Sequence, residues 1–343
     1  MLKALKINQY IVLLVLAIAA AGCHLIDDDL SVCGVDYLIN YQMNLVTEVQ
    51  TTIDEQLSSD IEKPMADALK IWSEPYFEGH AHDLDMSFYS LDGTDELLEH
   101  KYDTINAKQK SYTLYIPRKD YRHLAVVNIA ENDNVTLMGG QYASSMRIAQ
   151  READTLPSHN TAVYTARLDM YMPQSDSNLT FNVHLYMASC AVAIVQTNHS
   201  ATPLRMGRVL LSGTASSFSI NDSVYAFNHN SLIEAEKVID GCYAMLALPS
   251  RDSLPAPAPS GAKAFAKAAD NALWQLRVYV PMPDGKITET VLSIPYALRA
   301  GRLEIIKVQM NDDGSVTVVG NPEVGASVQL DWKEGNEHEL ITG

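Results

Sequence analysis

Apolar and polar residues alternate with a period of two through much of this chain, and that period predicts strands. Gly34 to Met43 sets Val35, Tyr37, Ile39 and Tyr41 on one face. Further strands are predicted over Asp83–Leu91, Ser111–Ile116, His123–Ala130, Asn134–Met138 and Ala162–Met172. The polar stretch Gln174–Asn178 interrupts the pattern. Strands then resume at Leu179–Met187, Ala191–Gln196, Arg208–Ser212, Ser216–Ile220, Cys242–Leu248 and Leu273–Val280. Leu303–Met310, Ser315–Val319 and Val328–Trp332 complete the set. Turn dipeptides punctuate it at Asp92-Gly93, Gly139-Gly140, Asp284-Gly285 and Asp313-Gly314.

Helical periodicity is confined to two places. From Leu45 to Ala68, Val46, Val49, Ile53 and Leu57 recur at steps of three and four, and Pro64 suits the first turn of a second helix. Ser231 to Val238 has Ser231 and Glu234 at capping-box spacing, which predicts a short helix. Leu254 to Asp270 is rich in Pro and Ala and predicts an extended loop. The absence of strand–helix alternation argues against a parallel α/β enzyme fold. The expected architecture is all-β: two tandem sandwiches over residues 34–176 and 177–343, with a short helical insertion near residues 45–72.

The first residues follow a different logic. Lys3 and Lys6 precede eleven apolar residues, Ile11 to Ala21, and then Gly22 and Cys23. That run is shorter than the ~20 residues needed to span a bilayer and fits a secretory signal peptide. Small residues directly before Cys resemble the lipobox of bacterial lipoproteins, although Ala20 stands where Leu is usual. The resemblance implies removal of residues 1–22 and acylation of Cys23, with 23–33 as a tethered linker. An ordinary signal peptide, leaving Cys23 as a thiol, is the other reading. His24 rather than Asp follows Cys23, which resembles outer-membrane sorting. Asp27, Asp28 and Asp29 resemble a surface-export tag and equally suit a solvated linker.

Of 343 residues, 25 are Lys or Arg and 42 are Asp or Glu, a net charge of −17. Such a chain lacks the basic footprint of a nucleic-acid binder. Cys33, Cys190 and Cys242 remain beside Cys23; the last two sit in apolar runs and read as buried thiols. One disulfide or none is compatible with that count. No nucleophile elbow, phosphate loop, dinucleotide fingerprint or zinc spacing occurs, and no residue is nominated as catalytic, cofactor-binding or metal-binding. Asn311 to Gly314 reads as a β-turn. His80 and His82 would share one strand face but lack a third ligand. Asp83 and Asp85 would share a face as paired carboxylates, a pattern more often found beside turns. Trp72, Trp274 and Trp332 are too dispersed to predict a sugar platform. Asn134, Asn178 and Asn198 head glycosylation triplets that matter only in a eukaryotic secretory route.

Several segments together resemble one family. Asp28 to Val35 leads into the first strand. Phe88-Tyr89-Ser90-Leu91-Asp92-Gly93, Tyr112 to Pro117, Tyr121 to Asn128 and Ser327 to Lys333 follow in order. This order resembles the fimbrium anchor lipoproteins of type V pili, the minor-fimbria and fimbrillin-associated anchor subunits. The chain departs from them in its longer helical region at 44–80 and in Val32, where Pro is frequent. The resemblance implies two transthyretin-like (Greek-key) β-sandwich domains. It implies a non-enzymatic, surface-exposed subunit, lipid-tethered to the outer membrane through Cys23. Such a subunit would hold the base of a fimbrium, limit its length and pair with pilin subunits by strand exchange. No nucleic acid, small-molecule substrate or cofactor is implied. A tip or shaft adhesin and a glycan-binding surface lipoprotein are the rival readings.

Overall fold

The computed structural model describes residues 34–43, 48–77, 83–104, 111–172, 179–198, 204–253, 272–320 and 324–332. The leader, Cys23, Cys33, His80, His82 and the 254–270 loop therefore lie outside the described residues.

The chain is nearly all β. It opens with β1 (Gly34–Met43), α1 (Glu48–Gln56) and α2 (Lys63–Phe77). Next come β2 (Asp83–Ser90), β3 (Leu97–Thr104), β4 (Ser111–Pro117), β5 (Tyr121–Val127), β6 (Val135–Met138), β7 (Arg147–Gln150), β8 (Thr155–Pro157) and β9 (Tyr164–Met170). The second half holds β10 (Leu179–Met187), β11 (Cys190–Gln196), β12 (Arg208–Ser212), β13 (Ser217–Ser219), β14 (Val224–Ala226), β15 (Leu232–Glu234), β16 (Glu236–Ile239) and β17 (Cys242–Ala247). It ends with β18 (Trp274–Pro281), β19 (Ile287–Ile294), β20 (Leu303–Met310), β21 (Val316–Val318) and β22 (Gly325–Trp332).

Four sheets result. A seven-stranded sheet runs β3-β2-β5-β9-β10-β1-β4, and a four-stranded one β14-β13-β7-β6. A five-stranded sheet runs β16-β17-β11-β20-β21, and a six-stranded one β22-β19-β18-β12-β15-β8. Three apolar clusters lie between these layers. One joins Tyr37, Phe88 and Tyr121 of the seven-stranded sheet to Ala193, Ala244 and Ile305 of the five-stranded sheet. A second fills the space between the five- and six-stranded sheets around Val192, Met245 and Trp274. The third lies beneath the four-stranded sheet, around Tyr89, Leu124 and Phe218. β11 and β17 are therefore covered on both faces, and their sequences are continuous apolar runs rather than alternations.

The two helices cover the outer face of the five-stranded sheet, not only the sheet from which they branch. Val49, Ile53, Leu57, Met65 and Leu69 are buried there. Lys307 of β20 donates to Glu62 Oε1 at 2.9 Å and to the Gln56 carbonyl at 2.8 Å. The indole of Trp72 donates to Glu236 of β16 at 3.4 Å. The insertion thus ties the chain's first third to its last.

Two expectations change. Leu232–Glu234 and Glu236–Ile239 form β15 and β16, not a helix. The Ser231 hydroxyl bonds His229 Nδ1, and Glu234 takes a two-pronged bond from Arg208 on the neighbouring strand, so neither side chain caps a helix. The polar stretch after Met172 separates β9 from β10, two strands of one sheet. Strands also cross between the halves: β8 joins the six-stranded sheet through β15, while β13 pairs with β7.

Candidate functional site

The candidate site is built around the first strand. β1 lies inside the seven-stranded sheet, not at its edge. Tyr37 to Met43 runs parallel to Leu179–Leu185 of β10, and Gly34 to Asn40 runs antiparallel to Pro117–Ser111 of β4. The period of two sends Tyr37 and Ile39 inward, where each is fully buried. Tyr37 stacks on Phe181 at 6.2 Å and meets Tyr121 edge-on at 6.3 Å. Its hydroxyl donates to the Pro117 carbonyl at 3.2 Å, and burial pushes its pKa up. On the outer face a polar ladder continues the register. The Ser111 hydroxyl donates to Asn40 Oδ1 at 2.7 Å, and Asn40 Nδ2 donates to Asn182 Oδ1 at 3.3 Å. Removing β1 would leave unpaired backbone on β4 and on β10 and open the Tyr37 and Ile39 pockets.

Among the described residues the sheets end on strands paired along one edge only. β4 and β3 bound the seven-stranded sheet, β22 the six-stranded sheet and β6 the four-stranded sheet. β22 pairs only with β19, Gly325–Ser293 through Ile287–Trp332, with a register shift near Ile287. Gly325 to Val328 are exposed. Such edges are templates for an incoming strand.

The nominated polar residues separate into structural roles. Asp83 is buried and accepts backbone N–H bonds from Ile129 and Ala130, which fixes the turn after β5. Asp85 bonds His100 Nε2 at 2.8 Å and the Ser87 hydroxyl at 3.2 Å. The two carboxylates are thus committed to different partners. Asn311 to Gly314 is the turn from β20 to β21: Gly314 N–H donates to the Asn311 carbonyl, and the Ser315 hydroxyl and N–H hold the Asp313 carboxyl below its usual pKa. Asp92 accepts from the Thr94 N–H and hydroxyl; Ser90 and Thr94 bring its pKa down to about 2, and Gly93 supplies the positive φ of +96° the turn requires.

Trp274 is buried and donates to the Tyr296 carbonyl, whereas Trp72 lies on α2 against Tyr76, so they share no platform. Asn134 and Asn198 spend their amides on the Pro157 and Met310 carbonyls. Cys190 and Cys242 are buried free thiols; burial pushes both upward, Cys242 to about 12. Sequence reasoning missed His123 and His159. Both are fully buried, and desolvation brings each down to about 4. His123 heads the apolar run His123–Val127, whereas His159 sits between Ser158 and Asn160, where the sequence gives no sign of burial.

No family model matches the chain, and no curated protein matches it. Solved structures do resemble it. The fimbrial anchor protein Mfa2 from Porphyromonas gingivalis aligns at 11% identity over 87% of this chain and 99% of that one, with a TM-score of 0.44. The tip fimbrial protein Mfa3 of the same organism aligns at 11% identity, over 87% and 100%, with a TM-score of 0.44. A fimbrial assembly protein from Parabacteroides distasonis aligns at 12% identity, over 87% and 99%, with a TM-score of 0.43.

Proposed function

We propose that this chain is a non-enzymatic structural subunit at the base of a type V fimbrium, lipid-tethered to the outer membrane through Cys23. The observation that carries the proposal is the position of β1. A subunit made to receive a neighbour's strand must present an open groove in its sheet. Here the chain's own first strand fills the space between β4 and β10, with Tyr37 and Ile39 fully buried. A filled groove suits a terminal subunit, which contributes a strand or an edge to the fibre without accepting one there. The order of segments from Asp28 to Lys333 supports the same reading.

The tether follows from the lipobox-like Ala20-Ala21-Gly22-Cys23. Each buried methylene contributes ~0.8 kcal/mol, so two or more acyl chains hold a protein stably. A net charge of −17 gives no attraction to an anionic surface, which leaves attachment to the lipid. Labelled palmitate should appear on the wild-type chain and vanish from Cys23→Ala; label persisting on the mutant would refute the tether. Pull-down from solubilised membranes should recover pilin subunits; recovery of a glycan-uptake system in their place would favour a glycan-binding lipoprotein.

A further inference from the structure

A cleft of about 600 Å³ opens between the seven-stranded and four-stranded sheets. Its two rims are the last strands of those sheets: Leu97 and His100 lie on β3, Leu137 and Met138 on β6. At the start of β3 the Leu97 N–H donates to the Gln141 carbonyl at 3.0 Å and Glu96 bridges Tyr142; beyond that contact, among the described residues, β3 has only β2 as a strand neighbour, and β6 only β7. The walls are methylenes and thioethers: Leu97, Leu137, Met138 and Met146. The polar end is acidic. Asp85, 7% exposed, is steadied by His100 and Ser87, and Glu96 stands exposed at the mouth. No Lys or Arg lines the cleft. Tyr89, whose hydroxyl donates to the Gly140 carbonyl at 3.0 Å, links β2 to the Gly139-Gly140 turn that borders it.

We infer that this cleft receives a Lys or Arg side chain presented by an extended segment of a partner polypeptide. The shape of the polarity points to that chemistry. A long cationic side chain is an apolar stem with a charged tip, and it buries the stem while the tip finds a carboxylate. The Leu and Met walls match the stem, and Met adapts to its path. Glu96, exposed at the mouth, matches the tip, and the Asp85 carboxylate behind it, held by His100 and Ser87, adds to the negative charge the tip meets. The edge of β3 beyond Leu97 and the edge of β6 match the backbone on either side of it. A sugar would call for an aromatic wall, and the cleft has none.

Isothermal titration of the full chain tests this. The probe is an acetylated, amidated pentapeptide, Thr-Val-Lys-Val-Thr, compared with the same peptide carrying Gln at the centre. The Lys peptide should bind at least tenfold more tightly than the Gln peptide. Asp85→Asn and Glu96→Gln should each weaken it about tenfold, and the distant, exposed Asp60→Asn should not. Glu96 is on the surface, so its variant remains informative should Asp85→Asn unfold. Equal binding of the two peptides, no binding of the Lys peptide at millimolar concentration, or an equal loss in Asp60→Asn would overturn the inference. Binding of spermidine as tight as that of the Lys peptide would overturn the polypeptide as the ligand.

Discussion

His123 and His159 carry the molecule's clearest pH dependence. Desolvation holds each near a pKa of about 4, against an ordinary value of 6.5. Above pH 6.5 both states are neutral, and neither residue affects stability. Between about 6.5 and 4 the unfolded chain takes up protons that the folded chain refuses, so stability falls with acid. The loss is about 3 kcal/mol per histidine when complete. Urea midpoints measured from pH 7.5 to 4 should show this fall. His123→Leu, which also loses the stacking on Phe88 at 4.4 Å, should flatten part of it. An unchanged slope would contradict the assignment. Tyr37 is the second residue-scale test. Truncation to Ala at a fully buried aromatic costs about 3–5 kcal/mol, while Leu38→Ala on the outer face of the same strand should cost under about 0.5 kcal/mol.

At the scale of elements, legibility followed burial pattern. Strands with one wet face, such as β18 with its alternating Trp274, Leu276, Val278 and Val280, announce themselves by period two. Strands covered on both faces, such as β11 and β17, are read from apolar runs. β3 escaped notice because this edge strand, LLEHKYDT, is only partly buried at any position and sets the charged Glu99, Lys101 and Asp103 at every second residue. β19 escaped because its buried positions include Thr288, Glu289 and Thr290; Glu289 is made tolerable by the Tyr279 hydroxyl at 3.0 Å and by Arg277. The helical insertion was legible, but its docking on the five-stranded sheet was not, since Lys307 and Glu62 are far apart in sequence. Glu62→Gln should cost about 2 kcal/mol by weakening that charged bond. The first strand gives the sharpest element-scale prediction. A chain beginning at residue 44 should lose its cooperative unfolding transition, and a synthetic decapeptide Gly34–Met43 should restore it. Full cooperativity without the peptide would contradict β1 as an integral strand.

The whole molecule is less divided than its sequence implies. A cut after residue 176 would part β9 from β10, and β8, β13 and the helices each cross between halves. Such crossings join residues distant in sequence, so local composition cannot reveal them. The resulting body is covered by helices on one side and sealed at its first strand, and among the described residues its sheets end on strands paired along one edge only. An anchoring role predicts a specific cellular outcome, read by electron microscopy of cells and of culture medium after deletion of the gene. Without this chain, fimbriae should be longer and found in the medium, and wild-type sequence, but not Cys23→Ala, should return them to the cell. Fimbriae of unchanged length that stay bound to the deleted cells would contradict the anchor.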